Sequence, residues 1–243
     1  MAGMEVSRGP EGGQNLLLKS LDPAALLVVT PHLVRRDVVA GQIFDGIADE
    51  SDDLFFPETA IISFRSPNGG GPEIALVGFE GVVGWPLLLR SAGDTTHGVV
   101  LMRAGSGLAI TAGRFAELCE ESPTLRASLL RFVHNLMLQM TSNIAATSDS
   151  VERRLARWLL MVHDRADRNA LELTHDYIAG ALDVRRASIT DGLHLIEGEG
   201  LVRCTRGRVV IRDRARLRAL AGASYGAVER SYSDRIAAFG APD

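Results

Sequence analysis

Residues 171–202 decide how the chain folds: Leu171-Glu172-Leu173-Thr174-His175-Asp176-Tyr177-Ile178-Ala179-Gly180-Ala181-Leu182-Asp183-Val184-Arg185-Arg186-Ala187-Ser188-Ile189-Thr190-Asp191-Gly192-Leu193-His194-Leu195-Ile196-Glu197-Gly198-Glu199-Gly200-Leu201-Val202. Tyr177, Ile178, Ala181 and Leu182 fall at helical spacing behind Thr174, whose hydroxyl suits an N-cap because it can accept from an orphan N–H. Asp183 interrupts the pattern, and aspartate is among the few side chains that tolerate a left-handed backbone. Val184, Ile189, Leu193 and Ile196 then make a second apolar stripe. The spacing predicts two short helices joined by a tight turn and running into a strand.

The second helix would turn Arg185, Arg186, Ser188, Thr190, Asp191 and His194 outward, all hydrogen-bonding types. A helix fits the major groove of DNA, where arginine can donate twice to guanine, serine and threonine reach bases or phosphates, and aspartate accepts from cytosine. The next segment, Leu201 to Arg212, reads as two β-prone runs around a glycine turn. This is a wing, with Arg206 and Arg208 at its tip to grip phosphate. Together with the cap Thr174, these are the candidate DNA contacts. The same pattern also suits a winged helix that touches only proteins.

Charge follows the motif. The chain carries a net charge of −4, and residues 1–148 hold 10 basic against 16 acidic side chains. Residues 149–243 hold 16 arginines against 14 acids, and within 185–218 nine arginines face four acids. A basic patch of this kind suits phosphate neutralisation with counterion release.

A chain of 243 residues is long enough for two domains with separate cores. No apolar run approaches the roughly 20 residues that cross a bilayer, and the N-terminus lacks a signal-peptide core. A cytoplasmic protein is expected. Cys119 and Cys204 have no metal-ligand spacing and read as packing residues. The six histidines form no HxxxH pattern, and no Gly-x-Ser-x-Gly is present. Neither a catalytic set nor a metal site is expected.

The fold class reads as α+β. Residues 1–14 are a glycine-rich arm. Short helices follow around Leu16, Leu17 and Leu21, with Asp22 as a cap and Pro23 at the first helical position of the next. From Leu33 to about Ala112 the chain turns to short β-prone runs, among them Ile43-Phe44, Leu54-Phe55-Phe56, Ala60 to Phe64, Ile74 to Val77 and Gly98 to Met102. Many short strands imply an antiparallel, jelly-roll-like β-roll, assigned to residues 15–122. Residues 123–148 read as a dimerisation helix about 37 Å long, with Leu129, Val133, Leu136, Met140 and Asn143 as a heptad-like seam and a hinge near 147–150. Packing of that seam against the chain's own roll is the other possibility. Asp149 could cap a further helix with Val151, Leu155, Trp158, Leu159 and Val162 inward and Arg153, Arg154 and Arg157 outward. Residues 149–222 form the winged helix-turn-helix, and 223–243 a tail.

This order of parts resembles the Crp/Fnr family of bacterial transcription regulators over roughly residues 15–220. The most specific matches are Val151 to Leu160, Leu173-Thr174-His175, Val184 to Thr190 and the exit Leu195 to Leu201; Leu54 to Pro57, Ile61-Ile62-Ser63 and Val77 to Gly84 look like the family's sensor roll. The resemblance implies a homodimer on a two-fold symmetric operator in double-stranded DNA, and RNA polymerase as a partner. It makes Arg186 the leading base reader and Ser188 a phosphate contact. Ala187 stands where the family commonly has a base-reading glutamate and Asp191 where it has an arginine, so the operator must differ from the best-known sites.

Relatives that bind cyclic nucleotides use a glycine-rich turn, a glutamate, and an arginine followed by a small hydroxyl residue to meet the buried phosphate. Here the turn survives in Glu80, Gly81 and Gly84, but Thr95-Thr96-His97 occupies the later segment, and Arg90-Ser91 comes too early. Glu80, Gly81, Gly84, Thr95 and Thr96 are the candidate ligand pocket, with cyclic AMP not expected to fill it. Two isolated cysteines disfavour an iron–sulfur sensor, whereas haem could use His97 or His32. No cofactor is assigned, the effector is left open, and activator and repressor are equally compatible with these residues.

Overall fold

The computed structural model describes residues 14–39, 53–65, 71–89, 98–166 and 169–240, with 89 and 98–102 described by backbone alone. The expected run Ile43-Phe44, residues 1–13 of the arm, and Arg90, Ser91, Thr95, Thr96 and His97 lie outside the described residues. The chain divides into two compact units: residues 1–63 with 77–134, and residues 64–76 with 135–243.

The first unit begins with two helices, α1 (Leu16–Lys19) and α2 (Pro23–Val29). Asp22 caps α2 by accepting from Ala24 and Ala25 N–H, with Pro23 behind it. Asn15 caps α1 through its carbonyl oxygen. Its Nδ2 donates to the carbonyls of Pro57 and Gly81, both at 2.8 Å, so one fully buried amide ties the helix start to two distant stretches of the chain.

Strands β1 (Val34–Val38), β2 (Asp53–Pro57), β3 (Ile61–Arg65), β4 (Ala75–Val77), β5 (Gly98–Arg103) and β6 (Gly105–Thr111) form two sheets, in the orders β1-β6-β2 and β4-β3-β5. The first is antiparallel throughout, with Arg36 opposite Gly107 and Phe55 opposite Ala109. Leu54, Phe55, Phe56 and Pro57 are buried in succession, as are Ile61 to Phe64, so these strands lose the alternation of a sheet with one wet face. Helix α3 (Ala112–Glu121), capped by Thr111, adds Phe115 to this core, its ring 5.8 Å from that of Phe56.

Helix α4 (Pro123–Ala145) starts in the first unit and ends in the second. Of the expected seam, Leu129 and Leu136 are buried within the chain, and Val133, Met140 and Asn143 are half-buried. Asn143 Nδ2 donates to the Ile74 carbonyl at 2.6 Å, so this polar position serves its own chain. Three of the apolar residues left in water lie one position along the helix: Leu130 (60% exposed), Met137 (60%) and Ile144 (68%).

The second unit contains α5 (Val151–His163), β7 (Ala170–Glu172), α6 (His175–Leu182), α7 (Arg186–Gly198), β8 (Val202–Thr205), β9 (Arg208–Ile211), α8 (Arg214–Ala221) and α9 (Ala227–Arg235). Its antiparallel sheet runs β7-β9-β8. Ser150, not Asp149, caps α5, accepting from Arg153 N–H; Asp149 instead pairs with the Arg153 guanidinium at 3.8 Å. Leu155, Trp158, Leu159 and Val162 face inward as expected. Arg157 is the exception on the outer face: it is buried, with Nε donating to the Ser224 carbonyl at 2.7 Å and Nη2 to the Ser142 hydroxyl at 3.3 Å. Burial holds its pKa below the usual arginine value, which is the cost of keeping a cation from water.

Residues 64–76 belong to this second unit. Glu73 accepts from the Trp158 indole N–H at 2.7 Å, and its own N–H donates to the Ala181 carbonyl at 2.8 Å, near the end of α6. The Arg65 guanidinium stacks 4.8 Å from the Tyr177 ring centre. Residues 227–235 are helical, and Tyr232 of α9 is fully buried against Phe239, with ring centres 5.2 Å apart. Tyr225 donates to Asp164 at 2.6 Å, Arg214 pairs with the same carboxylate at 2.5 Å, and Arg214 Nη1 lies 2.8 Å from His163 Nδ1.

Candidate nucleic-acid interface

Thr174 accepts from Tyr177 N–H at 3.1 Å and starts α6. Asp183 closes it in the left-handed region, φ 50°, the only such non-glycine residue among those described. Arg154 Nη2 donates to the Leu182 carbonyl at this corner. With the turn fixed, Ile189, Leu193 and Ile196 of α7 are fully buried and Val184 is half-buried. Buried Gly192 faces α5, where an added Cβ would meet Leu155 at 3.4 Å and Val151 at 3.9 Å, both ordinary contacts.

The residues picked from the sequence have different surroundings. Arg185, Arg186, Asp191 and His194 are exposed, whereas Ser188 and Thr190 are half-buried. Arg186 Nε lies 3.1 Å from Asp176 Oδ1, an ion pair open to water on both sides. Thr190 donates to the Arg186 carbonyl at 3.2 Å. Its hydroxyl proton is thereby used, so His175 Nδ1–H is the donor in their 3.0 Å contact. Thr190 is a strut between α6 and α7 rather than a group presented outward. Thr174 is exposed, its hydroxyl oxygen engaged by the cap.

Sequence periodicity does not single out Ala187 and Leu195, yet both are exposed, Leu195 at 53%. Ala187, Asp191 and Leu195 follow one another at intervals of four and form a ridge opposite the buried stripe. That interval is available in the sequence, but apolar types there read as interior.

In the wing, Thr205 pairs with Arg208, which leaves Arg206-Gly207 as a two-residue turn. Gly207 takes φ 71°, a conformation that favours glycine. Arg206 and Arg208 are exposed at the tip, as is Arg203 behind them. Cys204 N–H donates to Glu197 Oε1 at 2.8 Å, fastening the wing to α7. Burial raises the Cys204 thiol to about 11, and Cys119 likewise to about 11.

The candidate pocket residues that are described serve their own fold. Glu80 is buried, with Oε2 accepting from Gly78 N–H at 3.0 Å in its own turn. Gly81 lies under the Phe132 ring, where an added Cβ would come within 2.2 Å. Gly84, at φ 88°, would place a Cβ 2.5 Å from the Asp53 carbonyl. Thr95 and Thr96 lie outside the described residues. His32 Nε2 sits 3.1 Å from Arg114 Nη2, a structural partner. Among the described residues no group of three or more His, Cys, Asp or Glu could hold a metal ion, and no helix is long and apolar enough to cross a membrane.

Residues 153–220 match the Crp-like helix-turn-helix domain family. Among solved structures, the chain is similar to a protein from Eubacterium rectale described as a transcriptional regulator of the Crp/Fnr family, at 21% identity, covering 84% of this chain and 97% of that one, TM-score 0.64. It is also similar to a Crp-family transcriptional regulator from Thermus thermophilus, at 20% identity, 79% and 99% coverage and TM-score 0.63. A third likeness is FixK2 from Bradyrhizobium japonicum, at 14% identity, 79% and 98% coverage and TM-score 0.62. No curated protein matches by sequence. Residues 153–220 are thus a Crp-like helix-turn-helix domain, carried by a chain with the fold of the Crp/Fnr-type transcription regulators.

Proposed function

We propose that this protein is a sequence-specific DNA-binding transcription regulator that acts as a homodimer on a palindromic operator, without cyclic AMP. The observation that carries the reading is the outward face of α7, where Arg185, Arg186, Asp191 and His194 stand exposed beside a wing tipped by Arg206 and Arg208. One helix offers base-edge donors and acceptors, and the hairpin offers charge for phosphate.

A second copy is the partner that suits α4. Leu130, Met137 and Ile144 are exposed at heptad spacing, with Thr141 and Leu138 between them. An apolar stripe of this period on one helix fits the same stripe on another. Independence from cyclic AMP is supported by Glu80, whose carboxylate accepts from its own turn, and by the lack of an arginine–hydroxyl pair in the later segment.

The test is to incubate the full-length protein, without added ligand, with fragmented genomic DNA from its source and to sequence what it retains. Enrichment of one inverted repeat, with an affinity that falls steeply with salt, is expected. Retention without sequence preference would overturn the reading.

A further inference from the structure

The ridge Ala187, Asp191, Leu195 has a composition unusual for a surface meant to meet a polyanion. It holds a carboxylate flanked on both sides by apolar groups, all three exposed. Successive members are about 6 Å apart along the helix, or about two base-pair steps at 3.4 Å each. The ridge lies on the exposed side of α7, away from Ile189, Leu193 and Ile196, which are completely buried.

A carboxylate there is repelled by phosphate and by any base edge that offers only acceptors. Guanine presents N7 and O6 in the major groove and thymine presents O4, so both reject it. Cytosine presents an amino group alone. Adenine presents an amino group beside the N7 acceptor, which would oppose the second carboxylate oxygen. Cytosine is the one base whose own edge gives Asp191 a donor and no acceptor, whereas the adenine amino group lies between its own N7 and the O4 of the paired thymine. The apolar members match the one apolar group of the groove, the thymine C5-methyl.

Resting on the regulator reading above, we propose that Asp191 reads a cytosine through its 4-amino group while Ala187 and Leu195 read the methyl groups of thymines on either side of it. The operator half-site therefore holds a cytosine with thymines within about two base pairs, in addition to whatever Arg186 reads. Leu195 is a specificity residue in this arrangement, and its exposure in the free protein is the cost of that role.

The experiment is selection from randomised duplexes by full-length wild type, Asp191→Asn and Leu195→Ala, followed by affinity measurement on the selected duplex with deoxyuridine in place of each thymine, which deletes only the methyl. The expected result is an inverted repeat containing the cytosine. Asp191→Asn, which both donates and accepts, should shift preference at that base toward adenine. Deleting the methyl that Leu195 reads should weaken wild type about fivefold or more and leave Leu195→Ala unaffected, whereas deleting the one that Ala187 reads should weaken both proteins alike. An inverted repeat whose base preferences Asp191→Asn leaves unchanged, or the absence of any thymine whose methyl deletion weakens wild type and spares Leu195→Ala, overturns the inference and leaves the regulator reading in place. Selection of no repeat overturns the regulator reading, and this inference with it. The methyl deletion alters only the DNA, so it reads out even where a variant folds poorly.

Discussion

Arg186 Nε and Asp176 Oδ1 lie 3.1 Å apart, bridging the start of α7 to the first turn of α6 across water-exposed ground. The side chains are 68% and 73% exposed, so solvent screens the pair and its worth to stability is small. Asp176→Ala should shift unfolding by no more than about 0.5 kcal/mol. It should tighten DNA binding, because it frees Arg186 and removes a negative charge beside phosphate. Arg186→Ala should cost about 1 to 3 kcal/mol of operator affinity if the side chain pairs with guanine. Unchanged affinity for Arg186→Ala in titrations at fixed salt would remove Arg186 from the reading face.

The two apolar rows of α4 should respond differently to substitution. Leu136 is buried, and Leu136→Ala should lower stability by about 2 to 5 kcal/mol. Met137 is exposed, and Met137→Asp should leave the thermal unfolding of the chain nearly unchanged while dissociating the proposed dimer. Sedimentation at several concentrations, combined with operator binding, separates the two effects; a Met137→Asp protein that sediments like wild type would exclude this row as the seam.

Two glycines predict opposite signs. A Cβ on Gly81 would strike the Phe132 ring at 2.2 and 2.5 Å, so Gly81→Ala should destabilise by about 1 to 3 kcal/mol. A Cβ on Gly192 meets only ordinary contacts at 3.4 and 3.9 Å, so Gly192→Ala should stabilise by up to about 1 kcal/mol through helix propensity. Chemical denaturation of both variants checks this, and a destabilised Gly192→Ala would mean that α5 and α7 sit closer than the structure places them.

Alkaline pH should weaken the fold through Tyr225. Burial first, and then the Asp164 charge, hold its phenol above the usual tyrosine value, so the folded state keeps its proton longer than the unfolded chain. A raised folded-state pKa gives stability that is complete below about pH 10 and is lost as pH rises beyond it. Denaturation midpoints measured from pH 8 upward should fall for wild type and fall less for Tyr225→Phe. Equal slopes would mean that the phenol is not protected.

Much of the second unit is legible in the sequence because its determinants are local. Thr174 as a cap, Asp183 in the left-handed region and the stripe Ile189, Leu193 and Ile196 each follow from spacing within a few residues. Helix α4 is legible as a helix but not as a surface. Leu129 and Leu136 on one row, and Leu130 and Met137 on the next, are all apolar, and periodicity alone does not say which row the fold covers. Arg157 reads as outward because arginine usually is; its partners Ser142 and Ser224 lie 15 and 67 residues away in sequence. Thr190 reads as a DNA contact by residue type alone, whereas its hydroxyl is engaged by His175 and the Arg186 carbonyl.

Glu73 also bears on how such a protein could be taken apart. It lies 85 residues before Trp158 in the chain, yet it supplies the acceptor for that indole and a donor for the Ala181 carbonyl. A fragment cut near residues 147–150 would strand both groups, and would leave the Tyr177 ring without its stacked guanidinium. The helix-turn-helix part of this chain is therefore a poor cassette. Grafted whole onto another protein, it would need either a replacement for residues 64–76 or a redesigned patch at Trp158 and Tyr177.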